Sequence, residues 1–320
     1  MDIQKQSLKD AEGLIRAFEG QASPFQKHAW LSALHETLGL EPTIITFSKK
    51  KEYAGYIALF AKKAGITTYF SPPLGTETAY GGIVGKKPEQ LYPLLKKEIK
   101  NFFVVHPAKL HIDGCICEPK YTIITKLDAT HAEDHFSRLK KGHRYNIRKA
   151  RKDNILTIRD SCDDKNLNDY YHLLTKTYAY KGFTPLPLAF YRRIITHYAQ
   201  EKKVKLIIAR KGKTPVGTIA AFIHNKTMYY WTGGFLRDPE YTKLYPNDVL
   251  QWKIIEWGYA EKIPVYDMLG GDIPGIREFK LGFGGELVEY TKIYSSRKLH
   301  VLAKAYGMLG QGLKNVLRKK

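Results

Sequence analysis

The chain has 320 residues, 43% hydrophobic and 12% aromatic, which is enough apolar material for one large core or two of roughly 150 residues and excludes a disordered polymer. Lys and Arg total 52 against 31 Asp and Glu, a net charge of +21, which favours polyanionic partners: RNA, nucleotide phosphates, pyrophosphate lipids or an acidic bilayer. No run approaches the ~18 apolar residues of a membrane span, and the polar start MDIQKQSLKDAEG is not a secretory signal. Cys115, Cys117 and Cys162 offer neither an ordinary disulfide spacing nor a zinc set. The expectation is a cytoplasmic protein without a metal.

In chain order, a helical stretch at 27–38 precedes three short strands over 43–72, joined by polar turns. A helix at 88–103 and the apolar stretch LHID at 110–113 follow. A join is expected near 117–134. The basic segment LKKGHRYNIRKARK at 139–152 is helical from His143 and reads either as a solvated face or as a phosphate-binding face. The pattern then repeats: a helix at 188–201, three strands over 205–234, a helix at 247–262 with Leu250, Ile254 and Trp257 on one side, and VYD at 265–267. The two meanders align without a gap at an offset of 162 residues, pairing Ile45 with Ile207, Gly55 with Gly217, Ala58 with Ala220 and Phe60 with Phe222.

This is two copies of one helix–meander–helix–strand unit. The class is α+β, each copy a mixed, mostly antiparallel sheet flanked by helices, with domains at 1–130 and 131–295. The tail, 296–320, spaces apolar and basic residues as an amphipathic helix. Such a helix either packs on its own protein or lies on an anionic membrane.

The residues resemble the Fem-type (FemABX) aminoacyltransferases, built from tandem GNAT-like domains. Ser23-Pro24-Phe25-Gln26 with Trp30 is similar to the family's opening, and RYNIRKA at 144–150 to its interdomain segment. TYAYKGFTPLPLAFYRR resembles the helix–loop–helix before the second meander. YPNDVLQ at 245–251, YDMLGG at 266–271 and FKLGF at 279–283 resemble the closing signature, the most specific part of the match. The resemblance implies transfer of an aminoacyl group from aminoacyl-tRNA to an amine of a cell-wall precursor peptide. The partners implied are aminoacyl-tRNA and that acceptor, with no cofactor beyond the charged tRNA.

In that reaction an amine attacks an ester carbonyl, and negative charge gathers on the carbonyl oxygen. A fixed cation in a water-poor site stabilises it. The resemblance gives Lys280 this role, held by its flanking phenylalanines, Phe279 and Phe283. Asp267, at a strand end beside Gly270-Gly271, is the candidate proton acceptor or orienting group, or else a cap of the glycine-rich turn. Tyr230, Trp231 and Tyr245 either line the acyl site or pack in the core. Arg277, Arg144 and Arg148 are candidates for phosphate contacts. The start of the helix at 247 is a further candidate, against which the like charge of Asp248 counts.

Two departures bear on the acceptor. Some family members have a lysine shortly after the early Trp and an arginine in the second-copy loop. This chain has Leu31-Ser32-Ala33-Leu34 and Leu186 there, so a lipid-linked precursor, another polymer or a protein amine stays open. The alternative reading is an acyl-CoA-dependent GNAT N-acyltransferase. The R/Q-x-x-G-x-G/A turn that would cradle the CoA pyrophosphate is missing before both Asn247 and Pro88.

Overall fold

The computed structural model describes residues 1–50 and 52–308. The chain divides into two compact units, Met1–Lys120 together with the segment from Glu289, and Tyr121–Val288. The first unit contains β1 (Asp2–Gln6), α1 (Glu12–Ala17), α2 (His28–Leu38), β2 (Pro42–Lys49), β3 (Glu52–Ala64), β4 (Ile66–Ser71), β5 (Val84–Gly85), α3 (Pro88–Glu98) and β6 (Phe102–His106). Strand β7 (Ile116–Lys126) carries the chain into the second unit. There follow α4 (Ala132–Arg138), α5 (Lys141–Asp153), β8 (Leu156–Asp160), α6 (Asp164–Tyr180), α7 (Leu188–Gln200), β9 (Val204–Lys211), β10 (Thr214–His224) and β11 (Thr227–Phe235). Then come α8 (Pro239–Thr242), α9 (Pro246–Ala260), β12 (Val265–Asp267) and α10 (Pro274–Leu281). Strand β13 (Gly285–Tyr294) returns to the first unit, and α11 (Arg297–Met308) follows it.

The strand order is β1-β2-β3-β4-β6-β13 in the first unit and β8-β9-β10-β11-β12-β7 in the second. All pairings named below are antiparallel except β4 with β6 and β11 with β12. A parallel pair needs a long crossover, and α3 and α9 supply it. The core of the second unit gathers on α9, which buries Leu250, Trp252, Ile254 and Ile255 almost completely. The first unit's core gathers Ile45, Ile57, Leu59, Leu91, Leu95 and Phe102.

The internal repeat extends to a defect in the sheet. Ala54 is an extra residue in β3, between Tyr53 paired with Ser48 and Gly55 paired with Phe47. Val216 is the extra residue in β10, between Pro215 paired with Arg210 and Gly217 paired with Ala209. Ala54 and Val216 stand at the same offset as the rest of the alignment. A β-bulge bends its strand locally, and the glycine after it admits a neighbour. A Cβ on Gly55 would lie 2.3 Å from the Val84 carbonyl oxygen, and one on Gly217 3.2 Å from Leu250 and Pro246.

The two units exchange their sixth strands. Strand β7 follows β6, the fifth strand along the first unit's sheet, yet its residues 124–126 pair with β12 of the second. Strand β13 follows the second unit's fifth strand, and its residues 291–294 pair with β6 of the first. The division therefore falls at 120/121 and 288/289, whereas the sequence reading places its boundaries at 130/131 and 295/296.

Two expectations need correction. LHID at 110–113 is not a strand. The strand equivalent to VYD is Phe102–His106, whose aromatic and β-branched side chains favour the pleated conformation over the last helical turns expected at 99–103. Helix α3 accordingly ends at Glu98, and Ile99 is extended. Of the expected tail helix, Arg297–Met308 is helical, and 309–320 lies outside the described residues. Among the described residues no helix is long and apolar enough to cross a membrane.

Candidate active site

The site is built where β12 ends. After Asp267 the chain turns through Met268-Leu269-Gly270-Gly271, with Leu269 at φ +55° and Gly270 at φ +70°. Two successive left-handed residues aim the carbonyls of Met268 and Leu269 at one point. A non-glycine residue adopts this conformation only when its surroundings impose it. The surroundings here are β7 and α10. Tyr121 N–H donates to Asp272 Oδ1 at 3.1 Å, and Arg277 Nε donates to the Gly271 carbonyl at 2.6 Å. Gly271 passes so close to β7 that a Cβ would sit 2.4 Å from the Tyr121 carbonyl oxygen.

Lys280, in the last turn of α10, reaches into this turn and is 6% exposed. Its Nζ donates to the Met268 carbonyl and, at 3.4 Å, to that of Leu269. It also lies 3.9 Å from the centre of the Tyr230 ring. Burial pushes the ammonium's pKa down to about 7; the Asp267 carboxylate works against that shift, and the Lys181 ammonium adds to it. A lysine with this value holds and releases a proton near neutral pH. Asp267, also buried, accepts from the Thr122 hydroxyl and, at 3.0 Å, from the Leu269 N–H. It thus fixes the turn and acts on Lys280 through its field.

Tyr230 and Trp231 part company at a third bulge. Ala221 pairs with Tyr230 and Ala220 with Thr232, so Trp231 is the extra residue of β11. Tyr230 faces Lys280. Trp231 is buried among Phe190, Tyr191 and Phe222, at ring distances of 6.1, 5.4 and 4.9 Å, so its role is packing.

The phenylalanines of FKLGF do not flank the lysine as expected. Phe279 and Phe283, four residues apart, instead clasp the His143 ring at 5.0 and 4.3 Å. His143 Nδ1 lies 2.6 Å from Asp248 Oδ1, which also accepts from Asn146 Nδ2 at 3.2 Å. His143, Asn146 and Ile147 are the side of α5 that docks on α9. Asp248 fills the start of α9, where the sequence admits a phosphate. Lys140 N–H donates to the Gly282 carbonyl at 2.8 Å, and Gln251 Nε2 donates to the buried Tyr266 hydroxyl at 2.7 Å. Much of the YPNDVLQ, YD and FKLGF signature therefore braces the lysine.

The other candidates are dispersed. The Arg144 guanidinium donates to the Ser137 carbonyl, and that of Arg148 lies 5.3 Å from the Phe136 ring centre. Both are on α5, and neither reaches the turn that holds Lys280. Arg277 locks the Gly271 turn. Tyr245 stands left-handed, φ +55°, at the start of α9. Sequence reading missed His143, the two carbonyls and Lys181. Each stands in a segment already singled out: His143 in LKKGHRYNIRKARK, Met268 and Leu269 in YDMLGG, and Lys181 in TYAYKGF.

Residues 137–281 match the family model described as the acetyltransferase (GNAT) domain. The crystal structure of FemX superposes with a TM-score of 0.66 at 14% identity, covering 91% of this chain and 97% of that one. This is a tandem GNAT-like fold of the Fem type. The L-PGS structure from Bacillus licheniformis is similar over 91% of this chain and 94% of its own, with a TM-score of 0.57 at 13% identity. A tandem GNAT protein from the clavulanic acid biosynthesis pathway covers 92% and 98%, with a TM-score of 0.52 at 9% identity. No curated protein matches the chain in sequence.

Proposed function

We propose that this Fem-type chain is an acyltransferase that moves an aminoacyl group from aminoacyl-tRNA to the amine of a cell-wall precursor peptide or a related amine acceptor. The observation that carries the reading is the buried Lys280 cation, cradled by two carbonyls and the Tyr230 ring at the end of β12. The GNAT domain match and the acyltransferase-like neighbours support a transferase, and the basic surface suits a tRNA.

The amine nitrogen attacks the ester carbonyl, a C–N bond forms, and the oxygen of the tetrahedral intermediate carries the negative charge. Lys280 as an ammonium stabilises that oxygen in a site from which water is largely excluded. As the intermediate collapses the C–O bond to the tRNA ribose breaks. The departing oxygen takes a proton, which a lysine poised near pH 7 can supply and recover from the attacking ammonium. Asp267 keeps the turn and the lysine in register.

A second reading, an acyl-CoA-dependent N-acyltransferase, is favoured by the GNAT domain match. The start of α9, where a pyrophosphate would sit in such a site, is occupied by Asp248 with His143, which favours the tRNA reading. Filter binding of charged tRNA and of acetyl-CoA separates them. The proposal expects saturable binding of the tRNA and none of the thioester; the reverse outcome replaces it with the second reading.

A further inference from the structure

The first unit carries a surface to which none of the candidate site residues contributes. The β3–β4 hairpin turns at Gly65, φ +72°, and its pairing places Lys62 opposite Thr68 and Phe60 opposite Phe70 on one face. Helix α11 lies beside that face. Between them is a cleft of about 390 Å³ lined by Lys62, Ile66, Phe70, Lys298, Leu299 and Leu302. Three aliphatic side chains stand outward here: Ile66 is 57% exposed, Val301 56% and Leu302 56%. Arg297 and Lys304 are exposed on α11 beside them. Neither 60–70 nor 297–308 contains a single Asp or Glu.

We propose that this face docks on an anionic lipid bilayer. Branched aliphatic side chains ringed by cations, with no carboxylate among them, match the boundary between acyl chains and phosphate headgroups. Ile66, Val301 and Leu302 enter the acyl edge, and the lysines beside them reach the headgroups along their own apolar stems. An RNA face would instead present aromatic side chains for base stacking, and the side chains standing out here are aliphatic. The proposal is independent of the reaction proposed above.

Co-sedimentation of the full chain with phosphatidylglycerol–phosphatidylcholine vesicles, at about 0.15 M salt where surface attraction is partly screened, tests it. Wild type is expected to partition onto these vesicles and at least about ten-fold more weakly onto phosphatidylcholine alone. The Ile66→Asp/Leu302→Asp variant is expected to lose about ten-fold or more of that partition. Lys62→Glu/Lys298→Glu, an independent pair on the same face, is expected to lose a similar factor. Both change exposed side chains, so their melting temperatures should equal that of wild type, and their binding to total tRNA should be unchanged. Wild type that ignores anionic vesicles overturns the proposal, as do folded variants that partition like wild type. Loss of tRNA binding with vesicle binding intact reassigns the face to RNA.

Discussion

The Lys280 ammonium stands 3.9 Å from the centre of the Tyr230 ring while donating to the carbonyls of Met268 and Leu269. All three contacts are with neutral groups. A buried cation held this way is the group that the proposed reaction sets against a developing anion.

Replacing Lys280 with Met should leave the fold intact and lower the transfer rate by about 10²–10³-fold, the usual loss when one donor to a developing oxyanion is removed. Lys280→Arg should restore little, because the planar guanidinium does not fit a cradle shaped for a point charge. Single-turnover transfer, with circular dichroism as the folding control, measures both.

The lysine's folded value, about 7, lies below its ordinary 10.5, which fixes the sign of a pH effect on stability. Between those values the unfolded chain holds a proton that the folded chain has released, so stability rises with pH across that window. The contribution is full above about 10.5 and is lost as the pH falls to about 7. At about 1.4 kcal/mol per pH unit, the swing is a few kcal/mol. Denaturant melts should show Lys280→Met more stable than wild type at low pH, with the gap closing toward pH 10. A gap independent of pH contradicts the burial argument.

Activity should follow the same group. If the ammonium form is required, kcat/KM falls as pH rises through about 7, reporting the free enzyme. A profile that stays flat through that region removes Lys280 from the chemistry.

Tyr230→Leu removes the ring face from the cation. A desolvated cation–π contact is worth about 2 kcal/mol, which predicts roughly thirty-fold slower transfer. Tyr230→Phe keeps the ring and should retain most activity. Equal losses in both variants would point to the hydroxyl instead.

Gly271→Ala sets a methyl 2.4 Å from the Tyr121 carbonyl oxygen, a backbone neighbour that cannot swing aside. Overpacking of this kind costs about 1–3 kcal/mol, so the melting temperature should drop and activity should fall with it as the Met268–Gly270 turn shifts. Gly282→Ala, whose added carbon meets His143 Nε2 at 2.3 Å, should act similarly from the other side of α10.

The duplication was legible because both copies keep the same spacing down to the bulges at Ala54 and Val216. The strand exchange was not, since β7 and β13 look alike in composition whichever partner they choose. The sequence places Phe102 and Phe103 at the end of a helix, because a short apolar run beside one carries no period of its own. At the site, the motif drew attention to Lys280 and Asp267 but misassigned Phe279 and Phe283, whose rings clasp His143 instead. His143 was invisible: a lone histidine in a basic run carries no signal until its partner Asp248, 105 residues away, is seen beside it.

The central claim is that a charged tRNA gives up its aminoacyl group at Lys280. Radiolabel transfer from a mixture of charged tRNAs to a cell extract, run with wild type and Lys280→Met, tests it most directly. The account predicts a labelled product bearing a new amide bond with wild type, a loss of about a hundred-fold or more in the variant, and no label from acetyl-CoA. Label moving only from acetyl-CoA, or a folded variant as active as wild type, contradicts it.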